Sequence, residues 1–166
     1  MHGYTWCIEC EIKSRIATIR KRLPKLPCTK ILTAYDFGGD ESCLSSTYVR
    51  WASDKHLTVV DVQDKWQYKG LKEFGIAFRQ QDLRKKCHLP PVDHIRCKCL
   101  LCEISGKEVY ENMNGALLPG GTIKLSVCAF TEVGNVLSKA QDYLVNTYRY
   151  TTQKRGRNYC ILCKPK

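Results

Sequence analysis

No run of apolar residues in this chain approaches the roughly 18 to 20 that span a bilayer as a helix, so any membrane contact is expected to be peripheral. The opening residues lack a positively charged lead followed by an apolar stretch, so a secretory leader is not expected and the chain reads as not secreted. Internal repeats, low-complexity tracts and evident linkers are also missing, and 166 residues suit a single domain, 1–166, with a core of its own. Acidic residues are missing from two stretches, 13–25 and 149–166. The first carries Lys13, Arg15, Arg20, Lys21, Arg22 and Lys25, and the second Arg149, Lys154, Arg155, Arg157, Lys164 and Lys166.

Cysteine, by contrast, is abundant, with eleven residues. Without a leader these thiols are expected to be reduced, which points to cytoplasm or nucleus. Three pairs have the Cys-x-x-Cys spacing of half a zinc site: Cys7/Cys10, Cys99/Cys102 and Cys160/Cys163. Each lies in a strand-like run, and residues i and i+3 of a strand point to opposite faces unless the chain turns in a knuckle. The inserts Ile8-Glu9, Leu100-Leu101 and Ile161-Leu162 contain no Gly or Pro to make one. Trp6, Ile8, Cys10 and Ile12 share one strand parity, so these cysteines read first as small buried hydrophobes. The strongest metal pattern is Cys87, His88, His94, Cys97, Cys99 and Cys102, six donor residues in sixteen. Zinc is the cofactor it would hold; otherwise none is expected.

The formal net charge of +11 is concentrated in the two acid-free stretches. Such clusters attract phosphate, on nucleic acid or on anionic lipid, unless they only keep the surface soluble. Phosphate contact is therefore expected of Lys13, Arg15, Arg20, Lys21, Arg22, Lys25, Arg149, Lys154, Arg155 and Arg157.

Hydrophobic spacing predicts a strand over 4–13, then a basic amphipathic helix over 14–23 stopped by Pro24. Strands are expected at 30–35, 47–51 and 57–62, with a turn at Asp36-Phe-Gly-Gly-Asp-Glu. A helix is expected at 71–86, a hairpin of 94–104 with 107–111, a loop at 112–121, a strand at 122–130 and a helix at 133–144. A second hairpin, 145–152 with 158–164, closes the chain. The fold class this implies is α+β, a single compact domain with a mostly antiparallel sheet packed with two or three helices.

No catalytic constellation emerges. Gly115 to Thr122 falls one residue short of a phosphate-binding loop, because Gly121 stands where the Lys must be and a strand follows where a helix should start. Surplus cysteines make any Cys/His nucleophile pairing arbitrary. Asp36, Asp40, Glu41, Asp61 and Asp64 read as residues that solvate turns.

The order of elements over residues 4–40 and 115–164 resembles the matrix proteins of rhabdoviruses, especially the small ones of plant-infecting members. It runs through a first strand, a basic helix leading to Lys30-Ile-Leu-Thr-Ala-Tyr-Asp-Phe-Gly, a Gly-rich loop, and the strand Gly121-Thr-Ile-Lys-Leu-Ser-Val-Cys-Ala-Phe. A helix and a basic hairpin follow. Pro90-Pro91-Val92-Asp93 lacks the Tyr of the Pro-Pro-x-Tyr motif common in budding matrix proteins. The resemblance implies a non-enzymatic structural protein that self-associates and binds viral nucleocapsid or RNA and anionic membrane. It would sit in host cytoplasm or nucleus, in the virion and peripherally on membrane. The alternative is a zinc-binding, nucleic-acid-binding regulator such as a viral silencing suppressor, with Tyr148, Tyr150 and Tyr159 as stacking groups. An adaptor binding a host protein is a third class.

Overall fold

A computed structural model describes residues 6–26, 29–39, 42–98, 100–104, 106–128, 136, 142, 148–155 and 158–165. The element order starts with a helix where a strand was expected. Ile8, Ile12, Ile16, Ile19 and Leu23 recur at three- and four-residue spacing, which lines one side of a helix. They form α1 (Ile8–Arg22), with Leu23 as its C-cap. The chain then runs through β1 (Leu32–Phe37), α2 (Ser46–Ala52), β2 (Lys55–Asp61), α3 (Trp66–Leu71) and β3 (Ala77–Gln80). It continues with β4 (Val92–Lys98), a 3₁₀ turn (Leu100–Cys102), α4 (Lys107–Gly115), β5 (Leu117–Cys128), β6 (Tyr148–Arg155) and β7 (Asn158–Pro165).

The seven strands form one sheet in the order β3-β2-β1-β4-β5-β7-β6. β3, β2, β1, β4 and β5 are mutually parallel, and β7 pairs antiparallel with both β5 and β6. Parallel strands are covered on both faces and read as nearly continuous apolar runs. That is the character of Leu57 to Val60, whereas Ile123-Lys124-Leu125 alternates, burying its two apolar residues on one face. Alternate side chains feed two separate cores. Ala34, Leu57 and Val59 pack with Ile19, Tyr48, Val49 and Leu71 from α1, α2 and α3. Phe37, Val60, Ile95, Cys97, Ile123 and Leu125 pack with Val109, Tyr110 and Met113 of α4 on the other face.

This is a three-layer α/β fold, and it corrects the expectation of a mostly antiparallel α+β domain. The expected strands at β1, β2, β4 and β5 exist, and the closing hairpin does too. The order of their pairing overturned the class, because each parallel partner lies a crossover away in sequence. Two further expected strands, 47–51 and 107–111, are helices. α2 starts where the Ser45 Oγ accepts from the Tyr48 N–H at 3.3 Å, and α4 buries Val109, Tyr110 and Met113 at helical spacing. The helix expected at 71–86 ends almost at once, because Gly75 takes a left-handed φ of 67° and reverses the chain into β3. The helix expected at 133–144 lies outside the described residues apart from Val136 and Asp142, of which Val136 is buried against the α4-side core.

Candidate ligand-binding crevice

The chain leaves β1 toward β2 and β3 on one side, then returns to β4 on the other. In open parallel sheets such a reversal leaves a crevice beyond the carboxyl ends of the strands, and ligands bind there. A cavity of about 530 Å³ opens at that place. Gly38 and Gly39 border it after β1, Asp61 at the end of β2 with Val62 and Gln63 beyond it, and Gln81 to Arg84 after β3. Lys98 ends β4 at its rim, and Leu100 and Ile104 wall its far side.

The local chemistry explains the loop after β1. Gly38 and Gly39 have φ of 83° and 52°, left-handed values that disfavour a β-carbon. Space forbids one as well: at Gly39 it would overlap the Tyr68 hydroxyl, and at Gly38 it would press on Leu100. The Gly38 N–H donates to the Val60 carbonyl at 2.8 Å, tying the loop to β2.

Asp61 ends β2 with a buried carboxylate. Its Oδ1 accepts from the Gln63 N–H at 3.0 Å. Its Oδ2 accepts from the Tyr68 hydroxyl at 2.6 Å and lies 3.4 Å from Lys65 Nζ. Burial, followed by that carboxylate, pushes the Tyr68 phenol far above its ordinary value, so it stays a donor. α3, which carries Tyr68, thereby fixes the orientation of Asp61. A buried carboxylate so held presents its remaining lone pairs as strong acceptors for hydroxyl groups. Asp82 is clasped by Arg84, whose Nε and Nη2 donate at 2.9 and 3.0 Å. With the Arg84 N–H also donating, its carboxyl is held down to about 2.

Asp36, one residue before the end of β1, is fully buried. Its Oδ2 accepts from the Tyr48 hydroxyl at 2.5 Å and from Arg96 Nη1 at 2.9 Å. The Arg96 guanidinium in turn stacks 4.8 Å from the Trp51 ring and 5.4 Å from Tyr48. This network joins β1, β4 and α2, and it sets the buried carboxylate directly beside a counter-ion.

The residues singled out from sequence lie elsewhere. Lys13, Arg15, Arg20, Lys21 and Arg22 are on α1 and Lys25 follows it, none bordering the crevice. Arg15 pairs with Glu11 at 2.7 Å and Arg20 with Glu73 at 3.0 Å, so two of those charges are already matched. Arg149, Lys154 and Arg155 are on β6, at the sheet edge opposite β3, and Arg157 is outside the described residues. For the metal pattern, β4 sends His94 and Cys97 to opposite faces. Cys97 enters the α4-side core, and His94 Nδ1 lies 2.7 Å from Thr122 Oγ1. The Cys87 N–H donates to Asn112 Oδ1 at 3.0 Å, and the His88 carbonyl accepts from Arg79. Cys99 is outside the described residues and Cys102 falls in the 3₁₀ turn. Among the described residues no three His, Cys, Asp or Glu side chains converge as metal ligands do.

Asp61, Gly38, Gly39, Tyr68, Asp82 and Leu100 were not foreseen as site residues. One signal was available: a strand ending in Asp36-Phe-Gly-Gly, followed about 20 residues later by an acid at the end of a second strand, is the spacing of nucleotide-binding α/β units.

No family model and no curated protein matches the sequence. The fold matches solved structures over nearly its whole length. A SAM-dependent methyltransferase from Aquifex aeolicus aligns with a TM-score of 0.66 at 13% identity, covering 98% of this chain and 100% of that one. A TehB-like SAM-dependent methyltransferase from Corynebacterium glutamicum gives 0.65 at 11%, covering 92% and 88%. The N-methyltransferase NodS from Bradyrhizobium japonicum, in complex with S-adenosyl-L-homocysteine, gives 0.62 at 13%, covering 98% and 89%. At these identities the likeness is one of fold. It overturns the resemblance to rhabdovirus matrix proteins, and the non-enzymatic structural role falls with it. The partners drawn from that resemblance, namely viral nucleocapsid or RNA, anionic membrane, self-association and a host protein, lose their basis too. So do the zinc-binding silencing-suppressor alternative and the expectation of no cofactor other than zinc.

Proposed function

We propose that the crevice binds S-adenosylmethionine and that the protein is a methyltransferase. The observation that carries this reading is the buried Asp61 carboxylate at the end of β2, facing the same cavity as the Gly38–Gly39 loop at the sheet's reversal point. NodS, which shares the fold, was solved with S-adenosyl-L-homocysteine. The residues present fit such a group. Asp61 is an acceptor suited to a ribose diol, the two glycines leave the loop backbone open to close approach, and Val62, Leu83, Leu100 and Ile104 supply apolar walls for a base.

When bound, S-adenosylmethionine supplies a methyl carbon on a positively charged sulfur, open to attack by a nucleophile. The chain's part is to bind and orient. Tyr68 and Lys65 hold the Asp61 carboxylate in place, Arg84 fixes Asp82 at the rim, and Leu100 walls the cavity.

Thermal unfolding with added S-adenosyl-L-homocysteine tests the proposal. Ligand at a hundredfold excess over its Kd stabilises by about 2.7 kcal/mol, several degrees in Tm for a chain of this size. Asp61→Asn should weaken binding about tenfold to a hundredfold, as losing hydrogen bonds to a charged acceptor does. A Tm that stays unmoved by saturating S-adenosyl-L-homocysteine and S-adenosylmethionine would overturn the assignment.

A further inference from the structure

The pair Cys7/Cys10 is not part of a strand. Cys7 is the N-cap of α1, in extended conformation, and its Sγ accepts from the Cys10 N–H at 3.3 Å. Cys10 sits one turn on, over the same end of the helix, and both thiols are exposed. Trp6 packs edge-on against Trp66 of α3, with ring centroids 5.7 Å apart, so the start of α1 is anchored.

Two exposed cysteines at the first turn of a helix are set up for thiol–disulfide exchange. Residues three apart there are neighbours, and because Cys7 is an N-cap in extended conformation, a small shift of its backbone brings the pair within disulfide reach. The unsatisfied N–H groups of the first turn favour a thiolate at the N-cap. Among the described residues no third donor joins them to make a metal site.

We propose that Cys7 and Cys10 are a redox-active dithiol that exchanges with small disulfides of the glutathione type, Cys7 being the attacking thiol and Cys10 the resolving one. The Cys7 thiolate attacks one sulfur of the disulfide, the S–S bond breaks, and the leaving thiolate takes up a proton. Cys10, losing its proton, then attacks Cys7 Sγ, expels the second small thiol and closes the Cys7–Cys10 disulfide. The two cysteines lose two electrons and two protons, and the small disulfide is reduced to two thiols. The division of labour follows the local contacts. Hydrogen bonding from Cys10, side chain first and backbone next, holds the Cys7 thiol below its ordinary value, against a smaller opposing push from desolvation. The same contact pushes Cys10 up, with Lys13 opposing.

The test uses the full chain with oxidised glutathione, acid quench and alkylation, read by mass spectrometry of the peptide holding both cysteines. The wild type should form an intramolecular disulfide there, while the buried Cys43 and Cys97 stay reduced. Cys10→Ser should trap one glutathione on Cys7, and Cys7→Ser should react at Cys10 at least about tenfold more slowly, reflecting the smaller thiolate fraction. On titration, alkylation of Cys7 should persist to lower pH than that of Cys10. Three outcomes would overturn the proposal: equal reactivity of the two single variants, no disulfide in the wild type, or a reaction that begins only after a chelator strips bound metal.

Discussion

The imidazole of His94 has been drawn into the molecule for reasons of packing, and the consequence can be measured. It projects from β4 toward Thr122, and burial, reinforced by the nearby Lys55 and Lys124 charges, lowers its pKa from the ordinary 6.5 to about 4. Between those values the unfolded chain binds a proton that the folded chain does not. Stability from this group is therefore complete above pH 6.5 and is lost as pH falls toward 4, at up to about 1.4 kcal/mol per pH unit. His94→Gln keeps a polar partner for Thr122 but cannot titrate. Its Tm should fall less than that of the wild type between pH 7 and pH 4.5; parallel curves for the two proteins would show that His94 titrates normally. This environment could not be read from the residues around His94, since burial of a histidine depends on which strands flank it. Asp61 was only partly legible: its spacing from the Gly38–Gly39 turn is a signal, but three residues from Asp64 it looks like a turn residue, and only the position of α3 brings Tyr68 onto it.

At the scale of elements, reading failed where two periods could be drawn through the same residues. Trp6, Ile8, Cys10 and Ile12 alternate as a strand does, yet Ile8, Ile12, Ile16, Ile19 and Leu23 also form a helical stripe over a longer window. The longer pattern won, because it buries Ile19 and Leu23 against the sheet while the N-cap thiol satisfies a first-turn N–H. β1, β2 and the closing hairpin were legible, being short runs rich in β-branched and aromatic residues with turns on either side. α2 and α4 were not, since each is barely two turns long and carries Val or Tyr. The stripe makes a graded prediction. Ile19 is almost wholly buried and Ile8 is 41% exposed, so Ile19→Ala should cost about 2–4 kcal/mol and Ile8→Ala within about 0.5 kcal/mol. Urea unfolding of both variants decides it, and similar losses would mean that α1 does not lie on the sheet by this face.

For the molecule as a whole, sheet order is the property least visible in the sequence and the one that sets function. β1 to β5 give the crevice, but they also leave β5 with one side unpaired until the last two strands arrive. From Ile123 to Cys128 that side is taken by β7, running antiparallel from Cys163 back to Asn158, and β6 then forms the outer edge. Ile123 and Leu125 are fully buried in the core, so β5 is a central strand in chemistry and would become an apolar edge without the hairpin. Apolar edges pair with other chains. Deleting residues 145–166 should therefore make the chain aggregate at micromolar concentration and lose cooperative unfolding, even though none of the described residues bordering the crevice is removed. Size-exclusion chromatography with a urea melt reads both effects. A truncated chain that stayed monomeric and unfolded in one sharp transition would show that the parallel sheet is complete at β5, and the closing hairpin would then have to be explained by something other than protecting its edge.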